Sequence, residues 1–259
     1  MKLIYKDYLN PTIYLRESGY LCQLTEHDEK YVYSKLKENY DNIEYIPGKY
    51  NNPYFSEANT VIEINLNEDN YFDFSKNMID IGANVGCYTI TTYFKHTYCF
   101  EPNDYLYHML CVNLMIHNKY ECTTVYNDLL SNKVENIKYD GFQTFLTDQP
   151  NVFYNENIND EDFTRKSNII KSHTLDEYNC EKVGFIKIDV EGMEENVLRG
   201  GIGTIIRNNY PPILFELWDV NVFGMTQEKH DSLQNFLENL GYEIKWYWGD
   251  EETHLAIHK

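Results

Sequence analysis

Five short β-rich runs, at residues 78–81, 98–100, 123–126, 184–190 and 213–217, are separated by stretches long enough to hold a helical crossover. Antiparallel neighbours can be joined by a tight turn, but parallel ones need a dozen or more residues between them, so this spacing predicts a doubly wound, mostly parallel α/β sheet. Residues 104–117 carry Leu106, Met109, Leu110 and Leu114 at helical intervals. Leu233, Phe236, Leu237 and Leu240 do the same between Thr226 and Gly241, a capping hydroxyl and a helix stop. The C-terminal segment 242–259 reads as two strands joined by a turn at 249–252, an antiparallel ending to the sheet. Segment 84–96, NVGCYTITTYFKH, has to form the first crossover helix although its β-branched threonines are poor helix formers.

With 259 residues the chain can bury a substantial core. Residues 77–259 are expected to form the main domain, and residues 1–76 an N-terminal extension packed on it, with a helix at 28–42 and a strand at 60–66. The polar, acidic segment 141–170 reads as a long loop, an insertion or lid. A formal charge of −19 opposes binding to nucleic acid or an anionic membrane surface. The 6 cysteines have no CxxC pair and no zinc-like spacing, so they read as reduced thiols. Polar residues break every apolar run of the opening MKLIYKDYLNPTIYL, and no later run reaches about 18 apolar residues. A soluble, cytoplasmic protein is expected.

The first and second strands each end in a carboxylate and a turn, MIDIGANVG at 78–86 and YCFEPND at 98–104. A dinucleotide would want GxGxxG, yet the middle position here is Asn84, and Asp80 would stand beside two phosphates. A cationic nucleoside fits better. S-adenosyl-L-methionine carries a sulfonium, an ammonium and a ribose diol, so Asp80 is expected at its amino-acid end. Glu101 is placed to accept both ribose hydroxyls. Gly82, Ala83, Asn84 and Gly86 of the first turn and Asn103 of the second complete the expected cofactor-binding set, and Asp128, after the third strand, is the candidate for the adenine amino group.

These stretches resemble the FkbM family of methyltransferases. The likeness is carried by MIDIGANVGCYT, by CFEPNDYLYHMLCVNLMIHN with Asn113 and Asn118, by HTLDEY with FIKIDVEGMEENVLRGG, and by ILFELW, in that order along residues 78–218. The resemblance implies a class I methyltransferase fold with a Rossmann-like sheet, S-adenosylmethionine as cofactor, and transfer to an oxygen of a sugar or natural-product acceptor.

Methyl transfer from a sulfonium is an in-line displacement, so a protein accelerates it by positioning and by taking the hydroxyl proton. In FIKIDVEG, Lys187, Asp189 and Glu191 share one side of the alternating strand, with Ile186, Ile188 and Val190 on the other. Asp189 is the leading candidate for the base, or for orienting the cofactor amine. Glu191, Glu216 and His173 are the other candidates, and Lys187 is expected to pair with one of the acids. A divalent metal on Asp189, Glu191, His173 and Glu216 is an alternative that no spacing requires, and no metal is expected.

The expected reaction is therefore O-methylation of a saccharide or other small-molecule acceptor, without nucleic-acid or membrane partners. An RNA ribose methyltransferase is disfavoured by net charge and by a helix after Asp189 offering only Arg199 and Arg207; a non-catalytic cofactor-binding scaffold is the other alternative. Trp218, Trp246, Tyr247 and Trp248 could stack on a sugar ring, although such aromatics more often fill cores.

Overall fold

In the computed structural model, residues 71–139, 144–145, 168–220, 225–247 and 252–259 are described. The expected helix at 28–42 and strand at 60–66, most of the 141–170 insertion, and the turn around 249 with Trp248 lie outside them.

A 7-stranded sheet organises the chain. Its strands are β1 (Asn77–Ile81), β2 (His96–Phe100), β3 (Thr123–Tyr126), β8 (Val183–Ile188), β9 (Ile213–Glu216), β10 (Tyr242–Trp246) and β11 (Thr253–His258). They run in the order β10-β11-β9-β8-β1-β2-β3. The five from β3 to β9 are parallel, while β11 is antiparallel to both β9 and β10. This is the mostly parallel sheet with an antiparallel ending expected of a class I methyltransferase.

The strand order reverses between β1 and β8, since the chain builds outward to β3 and then restarts on the other side of β1. Open α/β sheets form their ligand crevice at such a point, above the carboxyl ends of the strands. The loops after β1, β2, β8 and β9 therefore matter most.

The central strands are covered on both faces. Ile79, Ile81, Ile186, Ile188, Ile213 and Phe215 pack with Val197 of α3 (Glu194–Arg199), Ile205 of α4 (Ile202–Arg207) and Leu233 and Leu237 of α5 (Gln227–Asn239). On the opposite face Met78, Phe185, Leu214 and Leu255 pack with Phe72 and Phe94, while Cys99 meets Leu110 and Leu114 of α2 (Asp104–Ile116). Burying each such side chain contributes about 1.5–3 kcal/mol. Phe72, in the stretch leading into β1, stands edge-on to Phe185 with centroids 4.7 Å apart.

Two expectations are corrected. The crossover helix of 84–96 shrinks to the five residues of α1 (Cys87–Thr91). Two threonine hydroxyls there are bonded within the fold: Thr89 Oγ1 donates to Asp80 at 2.7 Å, and that of Thr92, already extended, to the Tyr88 carbonyl at 2.8 Å. Side-chain bonding of this kind competes with helix extension.

The strand expected at 184–190 ends at Ile188. Glu191 and Gly192 take φ values of 58° and 93°, which turns the chain away, so the alternation grouping Glu191 with Lys187 and Asp189 does not extend that far. Within segment 141–170 the described residues include β6 (Thr144–Phe145) and the start of β7 (Asn168–His173). With β4 (Leu129–Leu130) and β5 (Asn136–Tyr139) they form a second sheet in the order β4-β7-β5-β6. No helix among the described residues is long and apolar enough to cross a membrane.

Candidate active site

The turn after β1 is pressed against the end of β8. Gly82 has φ +70°, and a Cβ there would lie 1.8 Å from the Asp189 carbonyl oxygen, so only glycine fits. The Gly82 and Ala83 N–H groups donate to the Phe100 carbonyl at 3.0 and 3.1 Å, tying the turn to β2. Buried Asn113 of α2 donates to the Val85 carbonyl at 2.7 Å, and Gly86 opens α1 in the left-handed region.

Glu101 closes the second strand at 4% exposure. One of its oxygens accepts the Asn84 N–H at 2.9 Å and the other the Asn103 N–H at 2.8 Å, so a single carboxylate holds both loops. Each oxygen keeps further lone-pair capacity, an arrangement that fits a vicinal diol. Burial raises its pKa to about 7, with the Asn103 and Asn84 N–H bonds opposing. Asn103 also accepts the Leu106 N–H at 3.1 Å and so starts α2.

Asp80 is placed differently from the expectation. Its exposure is 0%, one oxygen accepts the Thr89 hydroxyl, and the other faces Lys187 Nζ at 3.5 Å. It is enclosed under the turn, because the pleat sends side chain 80 into the layer that holds Met78 and Phe185.

Lys187, 3% exposed, is the centre of a buried ionic group. Its ammonium donates to the Gly82 carbonyl at 2.7 Å and lies 3.3 Å from Asp189 and 5.1 Å from the centre of the Tyr88 ring. Burial alone would disfavour the ammonium, but Asp189 and Asp80 outweigh it and raise its pKa. Lys187 thus joins β1, the glycine turn and the end of β8 through one cation.

Around this group stand further acids. Glu216, half-buried at the end of β9, has its pKa raised to about 8 by burial and then by Asp189, Glu194 and Glu191. Glu194, at the start of α3 and 2% exposed, accepts the Val190 and Gly192 N–H groups at 3.1 and 3.2 Å, and burial raises it to about 7. Glu191 lies exposed on the rim. The Tyr88 phenol is pushed up to about 12 by burial, against the pull of Lys187.

The structure therefore brings Asp189, Glu191 and Glu216 together. His173 stands apart from them, at the end of β7 in the second sheet, with Nδ1 3.6 Å from Glu177 and its ring 6.2 Å from Tyr178. Asp128 belongs to that neighbourhood too, accepting the Tyr178 hydroxyl at 2.7 Å. Among the described residues no group of three or more His, Cys, Asp or Glu is arranged to hold a metal ion. Trp218 is buried against Gly192, Tyr247 packs on Phe72, and Trp246 is exposed on β10.

Glu194 and Tyr88 were not singled out by sequence reasoning. An acid just after the DVEG turn, at a helix start, was a usable signal for Glu194, since exposed N–H groups there seek an acceptor. Nothing in the sequence distinguished Tyr88 from its many neighbours.

A family model described as the methyltransferase FkbM domain matches residues 80–244. Among solved structures, the methyltransferase FkbM of Methylobacillus flagellatus KT is similar at 17% identity and a TM-score of 0.49, covering 72% of this chain and 44% of its own. The chain thus spans less than half the length of that relative. Precorrin-6y C5,15-methyltransferase of Geobacter metallireducens GS-15 is 13% identical with a TM-score of 0.42, covering 71% of this chain and 81% of that one. Ribosomal protein L11 methylase of Lactobacillus delbrueckii subsp. bulgaricus is 11% identical with a TM-score of 0.39, covering 70% and 68%. No curated protein matches the chain. With more than half of the sequence matched, including both turns at the crevice and the acids after β8 and β9, the chain belongs to the FkbM methyltransferase family.

Proposed function

We propose that the protein transfers a methyl group from S-adenosylmethionine to a hydroxyl oxygen of a sugar or glycoconjugate. The observation that carries the cofactor half is Glu101, buried at the end of β2 and fixed by one N–H on each oxygen, with lone pairs left for a ribose diol. Bound there, the cofactor supplies an electrophilic methyl carbon on a sulfonium. The glycine turn lets the backbone approach the ligand, and the acids after β8 and β9 form the wall that can receive a hydroxyl and its proton. Asp80 supports this site from beneath through Lys187 rather than gripping the cofactor. Asp128 keeps one oxygen for an adenine amino group while the other holds Tyr178. The formal net charge of −19 favours a neutral or cationic acceptor over RNA.

Titration calorimetry with S-adenosylmethionine and S-adenosylhomocysteine tests the cofactor half. Binding of both is expected, weakened on the order of 10–100-fold in Glu101→Gln, which keeps the shape but loses one ribose acceptor and the charge. Incubation with a panel of sugars and mass detection of one added methyl tests the acceptor half. Cofactor binding without methylation of any hydroxyl compound would favour the scaffold reading, and methylation of RNA instead would overturn the sugar assignment.

A further inference from the structure

Two carboxylates end neighbouring parallel strands at the crevice, and their surroundings set them apart. Asp189 is engaged by Lys187 at 3.3 Å. The Glu216 carboxylate has neither a hydrogen-bond nor an ion-pair partner among the described residues. The charged and titratable groups close enough to act on it are Lys187, Asp189 and Glu191 from the end of β8 and the turn after it, Glu194 from α3, and the Tyr88 phenol from α1. Its register partner on β11 is Thr253. Three acids thus act on Glu216 against one ammonium, and that ammonium is already shared between Asp80 and Asp189.

We propose that Glu216 takes the proton of the acceptor hydroxyl, and that it holds a proton of its own until the positively charged methyl donor enters the crevice. The proposal deepens the methyltransferase reading and rests on it. With its pKa near 8, Glu216 is mostly protonated at neutral pH in the absence of donor. A sulfonium brought close to Glu216 favours the carboxylate by direct attraction, so the proton leaves on binding. The steps then balance. The acceptor oxygen's lone pair forms the new O–C bond, the C–S pair returns to sulfur as a neutral thioether, and the hydroxyl proton passes to Glu216. Because the thioether no longer favours the carboxylate, Glu216 keeps that proton for the next donor. Asp189, held by Lys187, is the fixed member of the pair.

The test is calorimetry at pH 7 in two buffers of different ionisation enthalpy, titrating S-adenosylmethionine and S-adenosylhomocysteine separately. Both share the ribose and amino-acid groups, so protons released at Glu101 cancel in the comparison. The sulfonium compound is expected to release a clear fraction of a proton more than the thioether. Correspondingly, the affinity ratio of the two should climb by up to tenfold from pH 6 to 8 and flatten above. The excess should vanish in Glu216→Gln and persist in Asp189→Asn. If Glu216→Gln does not fold, Glu216→Asp must move the midpoint of the ratio profile. Equal proton release by two ligands that both bind, an excess surviving in Glu216→Gln, or an unmoved midpoint in Glu216→Asp overturns the proposal while leaving the cofactor reading intact. If neither compound binds, the methyltransferase reading falls and this proposal with it.

Discussion

Lys187 illustrates how much one buried charge can organise. Its ammonium is shared by Asp80, Asp189 and the Gly82 carbonyl, and the Asp80 oxygen that faces it has no other partner. Lys187→Met would leave a carboxylate at 0% exposure without compensation, which typically costs about 3–5 kcal/mol. Urea unfolding is expected to show that loss, and Asp80→Asn combined with Lys187→Met should recover part of it; full additivity would mean that the two do not interact. Glu194 gives a second expectation at this scale. Glu194→Ala strands the Val190 and Gly192 N–H groups, at about 1–3 kcal/mol, whereas Glu194→Gln keeps an oxygen acceptor and should cost less. The sequence made the pairing of Lys187 with an acid legible, but not that Asp80 was the deeper partner, because which side of β1 is buried depends on what packs above it.

Among the elements, the turn after β1 and the short α1 show local chemistry yielding to tertiary contact and the reverse. Gly82→Ala would bring a methyl to 1.8 Å from the Asp189 carbonyl, at a φ of +70°. Loss of a few kcal/mol in stability is expected, together with loss of S-adenosylmethionine binding by calorimetry; a variant that bound normally would show that the turn and the β8 end can part freely. Threonine-rich α1 ends after five residues, in keeping with the low helix propensity of its β-branched residues. The five core strands and the two long helices were readable from apolar period and capping, as at Thr226, whose side chain accepts the Lys229 N–H. The second sheet was not, since β4, β5 and β6 are only two to four residues long and β4 and β5 are brought together only through β7. His173 shared chemistry with the acids in the sequence, but β7 carries it into that other sheet.

For the whole molecule the acids predict the pH response. Glu101 and Glu194 are raised to about 7 and Glu216 to about 8. Between roughly pH 4.5 and these values the folded state holds protons that the unfolded chain has released, so stability is full at acid pH and falls as pH rises through the window. The unfolding free energy from urea titrations is expected to drop between pH 5 and 8, by several kcal/mol in total, and Glu194→Gln should reduce the slope; a free energy that rose over that range would contradict the buried acids. The sequence by itself determined the sheet, its antiparallel end, the glycine turn and the acid at the end of β2. Period, turn residues and strand-end position are local properties, and they survive whatever packs around them. Only the tertiary structure decided which acids meet, that Asp80 lies beneath the site and Glu216 beside it, and that one lysine serves two carboxylates, because burial and charge proximity are set by strands far apart in the chain.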